Sequence, residues 1–70
     1  MTTFEKLDTV ALLKKIPEKG LDKGQVGTIV EQLDENIFEV EFTNSKGETL
    51  ITLPLSSSDL MLLHFEKVST

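Results

Sequence analysis

Apolar and polar residues alternate most regularly in the segment Ile37–Phe42, whose sequence is IFEVEF. Its two phenylalanines and the valine between them share one face of an extended chain, whereas Glu39 and Glu41 share the other. This period of two predicts a β-strand. We expect its apolar side chains to lie in a core and its two carboxylates to face solvent.

Four further short apolar segments predict the other strands, because they are rich in β-branched residues or bounded by turn residues. These segments are Val10–Leu13, Val26–Leu33, Thr49–Leu53 and Leu60–Phe65. A helix from Phe4 to Lys15 is the alternative for the first of them. In the second, Val26 and Ile29 have an odd spacing that puts them on opposite faces, and a bulge at Gly27 would allow both to be buried.

The segments between the strands contain residues typical of turns. Lys14–Gln25 predicts a long loop that Ile16 and Leu21 would hold against the core. Asp34–Asn36 predicts a tight turn with Asn36 in the left-handed conformation, and Thr43–Glu48 predicts a second hairpin loop.

Three residue types in the second half of the chain predict local backbone features. Gly47 can adopt a positive φ in the second hairpin loop. Pro54 should end the fourth strand, since it cannot donate a ladder hydrogen bond. The side chains of Ser56–Asp59 can cap a single helical turn before the last strand.

Together these elements predict an all-β fold, namely a small five-stranded SH3-like barrel with a long first loop and a single helical turn before the last strand. Seventy residues allow one domain, residues 1–70, and we expect an ordered core over about residues 7–65 with frayed ends.

The amino-acid composition indicates which classes of partner and which cellular compartment to expect. Seven lysines, no arginine and twelve carboxylates give a net charge of -5, which disfavours nucleic acid because each phosphate contact needs a cation. No Cys residue is available for disulfides or thiolate metal sites. No signal-peptide pattern or apolar span of about 20 residues occurs, so we expect a soluble, cytoplasmic protein without membrane contact.

Six motifs follow one another along the chain: Leu7–Leu12, Gly20-Leu21, Gly24–Val30, Phe38–Phe42, Gly47 and Ser58–Leu60. Their order resembles a bacterial family of small SH3-like proteins catalogued as a domain of unknown function, and the resemblance covers about Leu7 to Leu62. Some members of that family are encoded beside a second small protein in toxin-antitoxin-like modules. The resemblance therefore implies a protein partner, and it supplies no catalytic residue.

The segment Gly24–Val30 also resembles the glycine-spaced strand of the KOW motif in ribosomal and transcription-elongation proteins, and the SH3-like part of nitrile hydratase small subunits. A Gly-x-x-Gly-x-Ile run reports strand and turn geometry that many small barrels share. It supports the fold more than any shared function.

Residues of catalytic and metal-binding types occur near the C-terminus, but their arrangement favours structural roles. Ser56, Ser57, Ser58, Asp59 and His64 have the residue types of a hydrolytic triad, yet they fall within one turn and strand, where convergence around a substrate is not expected. His64 is the only histidine, which favours a partly exposed strand residue over a metal ligand. We expect no enzyme activity, no cofactor, no metal and no small-molecule substrate.

Two charged clusters have both functional and structural interpretations. Glu31, Glu39 and Glu41 would be close in a hairpin and could bind a basic partner or a divalent ion, but a solvated outer face is favoured. Four lysines in the first loop could contact RNA phosphates, although intervening carboxylates and the lack of an aromatic residue favour a solvated loop. These lysines are Lys14, Lys15, Lys19 and Lys23.

The last predicted strand carries apolar residues on both faces, because Met61, Leu63 and Phe65 alternate with Leu60, Leu62 and His64. One face can pack inside the barrel, and the other is either covered by a loop or exposed as a contact surface. The leading hypothesis is a non-enzymatic protein-interaction module or small homo-oligomer. Its predicted contacts are Met61, Leu63 and Phe65 with the adjoining loop residues Lys19 and Lys23, and an RNA contact through the four lysines is the alternative.

Overall fold

The computed structural model describes residues 4–63, which contain five antiparallel strands and two single 3-10 turns joined by loops. The strands are β1 (Thr9–Leu12), β2 (Val26–Asp34), β3 (Ile37–Thr43), β4 (Thr49–Ser56) and β5 (Leu60–Leu62), and the turns are Pro17–Lys19 and Ser57–Asp59. One sheet contains all five strands in the order β4-β3-β2-β1-β5. The predicted all-β fold of five strands, with a single helical turn before the last strand, is confirmed, and the alternative helix from Phe4 to Lys15 is wrong.

Strand β3 lies where its alternation predicts, and it supplies the centre of the core. Phe38, Val40 and Phe42 are buried, whereas Glu39 and Glu41 are half-buried on the opposite face. Phe4, which precedes the predicted core, packs edge-on against Phe38 with ring centroids 5.3 Å apart. The apolar face of β3 is therefore covered from the start of the chain as well as from neighbouring strands.

The predicted bulge at Gly27 is wrong. Gly27 pairs in regular register with Phe42. Gly27 and Ile29 lie on the core side of the sheet, whereas Val26 points outward and is exposed. A Cβ atom at Gly27 would lie 2.8 Å from Val40 Cγ1 and 2.9 Å from the Phe42 ring. Glycine is needed here because the side chains of β3 fill the space in front of it, and the register shifts of β2 occur beyond Ile29.

The turn between β2 and β3 closes without a left-handed Asn36, contrary to the prediction. Two-residue hairpin loops usually obtain their twist from residues in the left-handed conformation. Here the pairing has a register shift between Gln32 and Asp34, and such irregularities increase the local twist of a strand. The Gln32 side chain donates to the carbonyl oxygens of Asp34 and Glu35, and the Ser57 N–H donates to the Asn36 carbonyl oxygen at 2.8 Å.

Strand β4 continues through Pro54 to Ser56, so the prediction that Pro54 ends it is wrong. Pro54 pairs with Glu39 within the ladder. Within the described sheet β4 is an edge strand, and such a strand tolerates proline because one of its sides needs no N–H for a ladder hydrogen bond. Gly47 has the predicted positive φ, 81°, in the loop before β4.

The remaining predicted elements differ only at their ends. Strand β1 lies one residue earlier than the predicted Val10–Leu13. The first loop is held against the core by the buried side chains of Ile16 and Leu21, as predicted, and these two residues form an isolated bridge. The Ser56 hydroxyl accepts from the Ser58 N–H and caps the second 3-10 turn, as predicted.

Strand β5 begins at Leu60, as predicted, and extends to Leu62. Its predicted end at Phe65 lies outside the described residues. None of the residues from 4 to 63 belongs to a helix of the length and apolarity required to cross a bilayer.

Candidate interaction surface

Three apolar residues from three neighbouring strands form a row on the outer face of the sheet. Ala11 of β1 pairs with Val26 of β2 on one side and with Met61 of β5 on the other. Val26 is 47% exposed and Met61 is 48% exposed, whereas the small Ala11 between them is only 6% exposed. The row therefore presents two large apolar side chains to solvent across three neighbouring, paired strands.

Two further apolar residues extend this row along the strand direction. The Leu13 N–H donates to the Asp59 carbonyl oxygen at 2.8 Å, and the Leu63 N–H donates to the Thr9 carbonyl oxygen at 2.9 Å, so the β1–β5 pairing continues beyond both ends of β5. By alternation Leu13 lies on the face of Ala11, and Leu63 lies on the face of Met61. We call the five residues Ala11, Leu13, Val26, Met61 and Leu63 the outer apolar patch.

The patch exists because β1 and β5 are apolar on both faces. Val10 and Leu12 point to the core and are fully buried, and Leu60 of β5 is buried beside them. The same strands must then direct Ala11 and Met61 outward. The sequence left open whether the second apolar face of the last strand is covered by a loop or exposed. Met61, on that face, is exposed.

The predicted interface residues are distributed over the patch, the first loop and the chain end. Met61 and Leu63 belong to the outer apolar patch, with Leu63 half-buried. Lys19 and Lys23 are exposed on the first loop, and the Gly24 N–H ties the end of that loop to β1 through the Leu12 carbonyl oxygen at 2.6 Å. Phe65 lies outside the described residues.

Sequence reasoning missed Val26 and Leu13 as surface candidates. Their contribution depends on β1 lying between β2 and β5, which a single sequence does not give. The odd spacing of Val26 and Ile29 was the one available signal, because it places the two side chains on opposite faces.

The lysines of the first loop are not all free to bind phosphate. The Lys14 ammonium lies 3.1 Å from an Asp59 carboxylate oxygen at the end of the patch, and this pair is partly screened from solvent. Lys15, Lys19 and Lys23 are exposed. The local positive charge is therefore smaller than the sequence cluster indicates.

The three glutamates of the β2–β3 hairpin lie together on the outer face, as predicted. Glu31 pairs directly with Glu39, and Glu41 follows two residues along β3. Lys6 lies 3.5 Å from Glu31, and the Thr49 hydroxyl donates to the Glu41 carboxylate. Among the described residues no group of three or more His, Asp or Glu side chains is placed to hold a metal ion.

The serines at the end of β4 and in the following 3-10 turn hydrogen-bond to one another and to the backbone of the turn. The Ser56 and Ser58 hydroxyl oxygens lie 3.0 Å apart, and the Ser56 hydroxyl accepts the Ser58 N–H as an N-cap. His64, the histidine of the triad considered in the sequence, lies outside the described residues. Of these serines, Ser56 is the one that caps the turn among the described residues.

One protein family has a model that matches this chain. Its description is a domain of unknown function (DUF4926), and the match covers residues 6–62. Neither the comparison with curated proteins nor the comparison with solved structures gives a match.

Proposed function

The chain belongs to the DUF4926 family, whose description assigns no activity, and we propose that it is a non-enzymatic protein-interaction module. It binds a second protein, as an accessory or regulatory partner, through the outer apolar patch. The loop carrying Lys19 and Lys23 adds polar contacts at the rim.

The observation that carries this proposal is the row Val26–Ala11–Met61, in which nearly half of each large apolar side chain is in water. Exposed apolar area costs about 25 cal/mol per Å², so covering it supplies a driving force for association. None of the five patch residues is charged, and charged residues are depleted at the centre of protein interfaces.

The test compares Met61→Asp with Leu33→Asp. Leu33 is 52% exposed at the far end of β2 and lies outside the patch, so it is matched to Met61 in type and exposure. Proteins captured by the wild type are identified, produced and titrated against each purified variant by calorimetry. Placing a carboxylate in the interface should weaken binding by at least about tenfold, since burying a Met side chain is worth about 1.5–3 kcal/mol.

Leu33→Asp should bind like the wild type, and both variants should keep the β-sheet circular dichroism spectrum. Equal binding by Met61→Asp and the wild type would remove the patch from the proposal. Sedimentation velocity of the purified chain shows whether the partner is a second copy, in which case Met61→Asp should make the protein monomeric.

Charge supports a protein partner over RNA. The net charge is -5, and Lys14 is already paired with Asp59. An RNA contact through Lys15, Lys19 and Lys23 would lose affinity steeply as salt rises. Binding through the apolar patch should change little between low and physiological salt, so a salt titration of the identified complex separates the two classes of partner.

A further inference from the structure

The open edge of β4 is a second surface, separate from the outer apolar patch. Over residues 4–63 the sheet order ends at β4, whose neighbour is β3, whereas the patch lies on β1, β2 and β5. Proteins usually protect such edges with charged residues, proline, bulges or short strands. Strand β4 has two of these features, Pro54 and a register shift that leaves Leu50 unpaired with β3. Between them Ile51–Leu53 pairs regularly with β3, and no charged residue occurs from Thr49 to Ser58.

The register shows which backbone groups face this edge. In an antiparallel sheet the N–H and C=O of one residue point to the same neighbouring strand, and successive residues alternate. The Ile29 N–H donates to Asp8 and its carbonyl oxygen accepts from Leu7, so both groups are used on the β1 side. Its partner Val40 therefore directs its own groups to β4, where it pairs with Leu53.

Leu53 bonds toward β3, and so its neighbours Thr52 and Pro54 point their backbone groups away from the sheet. Pro54 has no N–H to offer there, which is the position an edge strand allows for proline. The Thr52 N–H and C=O and the Pro54 C=O are thus directed to the open side, where an added strand would find them.

The inner face of the same edge is incompletely covered. Ile51 and Leu53 pack against the core but are only partly buried, whereas Phe42 and Val40, their partners in β3, are fully buried. A strand added beside β4 would place every second side chain against Ile51 and Leu53. Those side chains should be apolar.

The carboxylates on the outer face of β3, beside the edge, favour basic side chains in an added strand. Glu39 and Glu41 of β3 pair with Pro54 and Thr52 of β4, and neither of these β4 side chains carries charge. An added strand would lie about 10 Å from β3, since neighbouring strands are about 4.8 Å apart. Lysine or arginine side chains can reach across that distance, and the carboxylates would attract them.

We propose that the β4 edge binds an extended segment of a partner protein in which apolar and basic side chains alternate. The segment adds to the sheet as a sixth strand, bonding to Thr52 and to the Pro54 carbonyl. A second copy of this chain fits less well, because its β4 is uncharged and it would bring another set of glutamates to the same edge.

The test titrates two short peptides, one of alternating valine and lysine and one of alternating valine and glutamate, against the full chain. The lysine peptide should bind at least about tenfold more tightly, because like charges placed side by side are unfavourable. It should also slow hydrogen exchange of the Thr52 amide. Equal affinity for the two peptides, or no binding of either, would overturn the proposal.

Two variants make the test specific. Thr52→Pro removes the N–H on the open side and should abolish peptide binding, whereas Met61→Asp in the outer apolar patch should leave it unchanged. The double variant Glu39→Lys, Glu41→Lys should reverse the preference in favour of the glutamate peptide. If the double variant still prefers the lysine peptide, the glutamates do not set the charge of the bound strand. If the wild type forms an oligomer that Thr52→Pro dissociates, the occupant of the edge is a second copy of the chain.

Discussion

Single residues in this domain are constrained by their neighbours more than by their own propensities. Gly27 lies within a strand that otherwise favours β-branched residues, and it is explained by Val40 and Phe42 in front of it. At Leu7 a non-glycine residue has a backbone conformation that favours glycine. Its φ of 75° is the only positive value at a non-glycine residue among residues 4–63. The reason for glycine at position 27 can be recognised only once the pairing of β2 with β3 is known.

Replacing Gly27 with alanine should destabilise the fold. The new methyl group would lie 2.8 Å from Val40 Cγ1, which forces the side chains of β3 to move. Overpacking of this kind costs about 1–3 kcal/mol of the free energy of unfolding. Urea denaturation measures the change, and Thr28→Ala at the neighbouring outward position should cost much less. Equal effects of the two changes would contradict the packing account.

Replacing Leu7 with glycine should stabilise the fold. Leu7 is the third residue of the turn Glu5–Asp8, which the Asp8 N–H closes by donating to the Glu5 carbonyl oxygen at 3.0 Å. A positive φ at this place costs a leucine about 1–2 kcal/mol, and glycine avoids that cost at some expense in chain entropy. We expect the free energy of unfolding to rise by roughly 0.5–1 kcal/mol.

Leu7→Ala is the matched control, because it removes the exposed side chain and keeps the Cβ atom that causes the strain. Thermal unfolding should give a higher midpoint for the glycine variant alone. A gain of the same size with alanine would mean that the exposed side chain, which is 76% accessible, and not the backbone is responsible.

At the level of elements, local patterns predicted which segments are strands but not where each strand lies in the sheet. The alternation in Ile37–Phe42 and the turn residues around it were sufficient to place β3 and its inward face. Pro54 was misinterpreted because its effect depends on whether β4 is central or at an edge, which is a property of the whole sheet. Asn36 was misinterpreted because a register shift in β2 provides the required twist.

The first loop is an element whose order should depend on one buried anchor. Leu21 is almost fully buried and bonds with Ile16 through both backbone groups, at 2.9 and 3.1 Å. Leu21→Ala should lower the free energy of unfolding by about 2–5 kcal/mol and speed hydrogen exchange at Ile16. Leu33→Ala, at an exposed leucine, should change stability by less than about 0.5 kcal/mol. Similar losses in the two variants would contradict the anchor role.

At the level of the molecule, the fold class followed from the sequence and the interaction surface only partly did. The apolar residues on both faces of the last segment indicated an exposed patch, and Met61 lies in it. Val26 and Leu13 joined it through pairings between segments far apart in sequence. The glutamates of β3 lie beside the edge of β4 because the two strands are paired, and a single sequence does not give that pairing.

The central claim is that the outer apolar patch forms the contact with a partner, and methyl NMR of the complex tests it most directly. With the identified partner added, the methyl signals of Met61, Val26 and Leu13 should shift or broaden, and those of Leu33 should stay in place. Shifts confined to methyl groups outside the patch, with Met61 unchanged at saturation, would contradict the account.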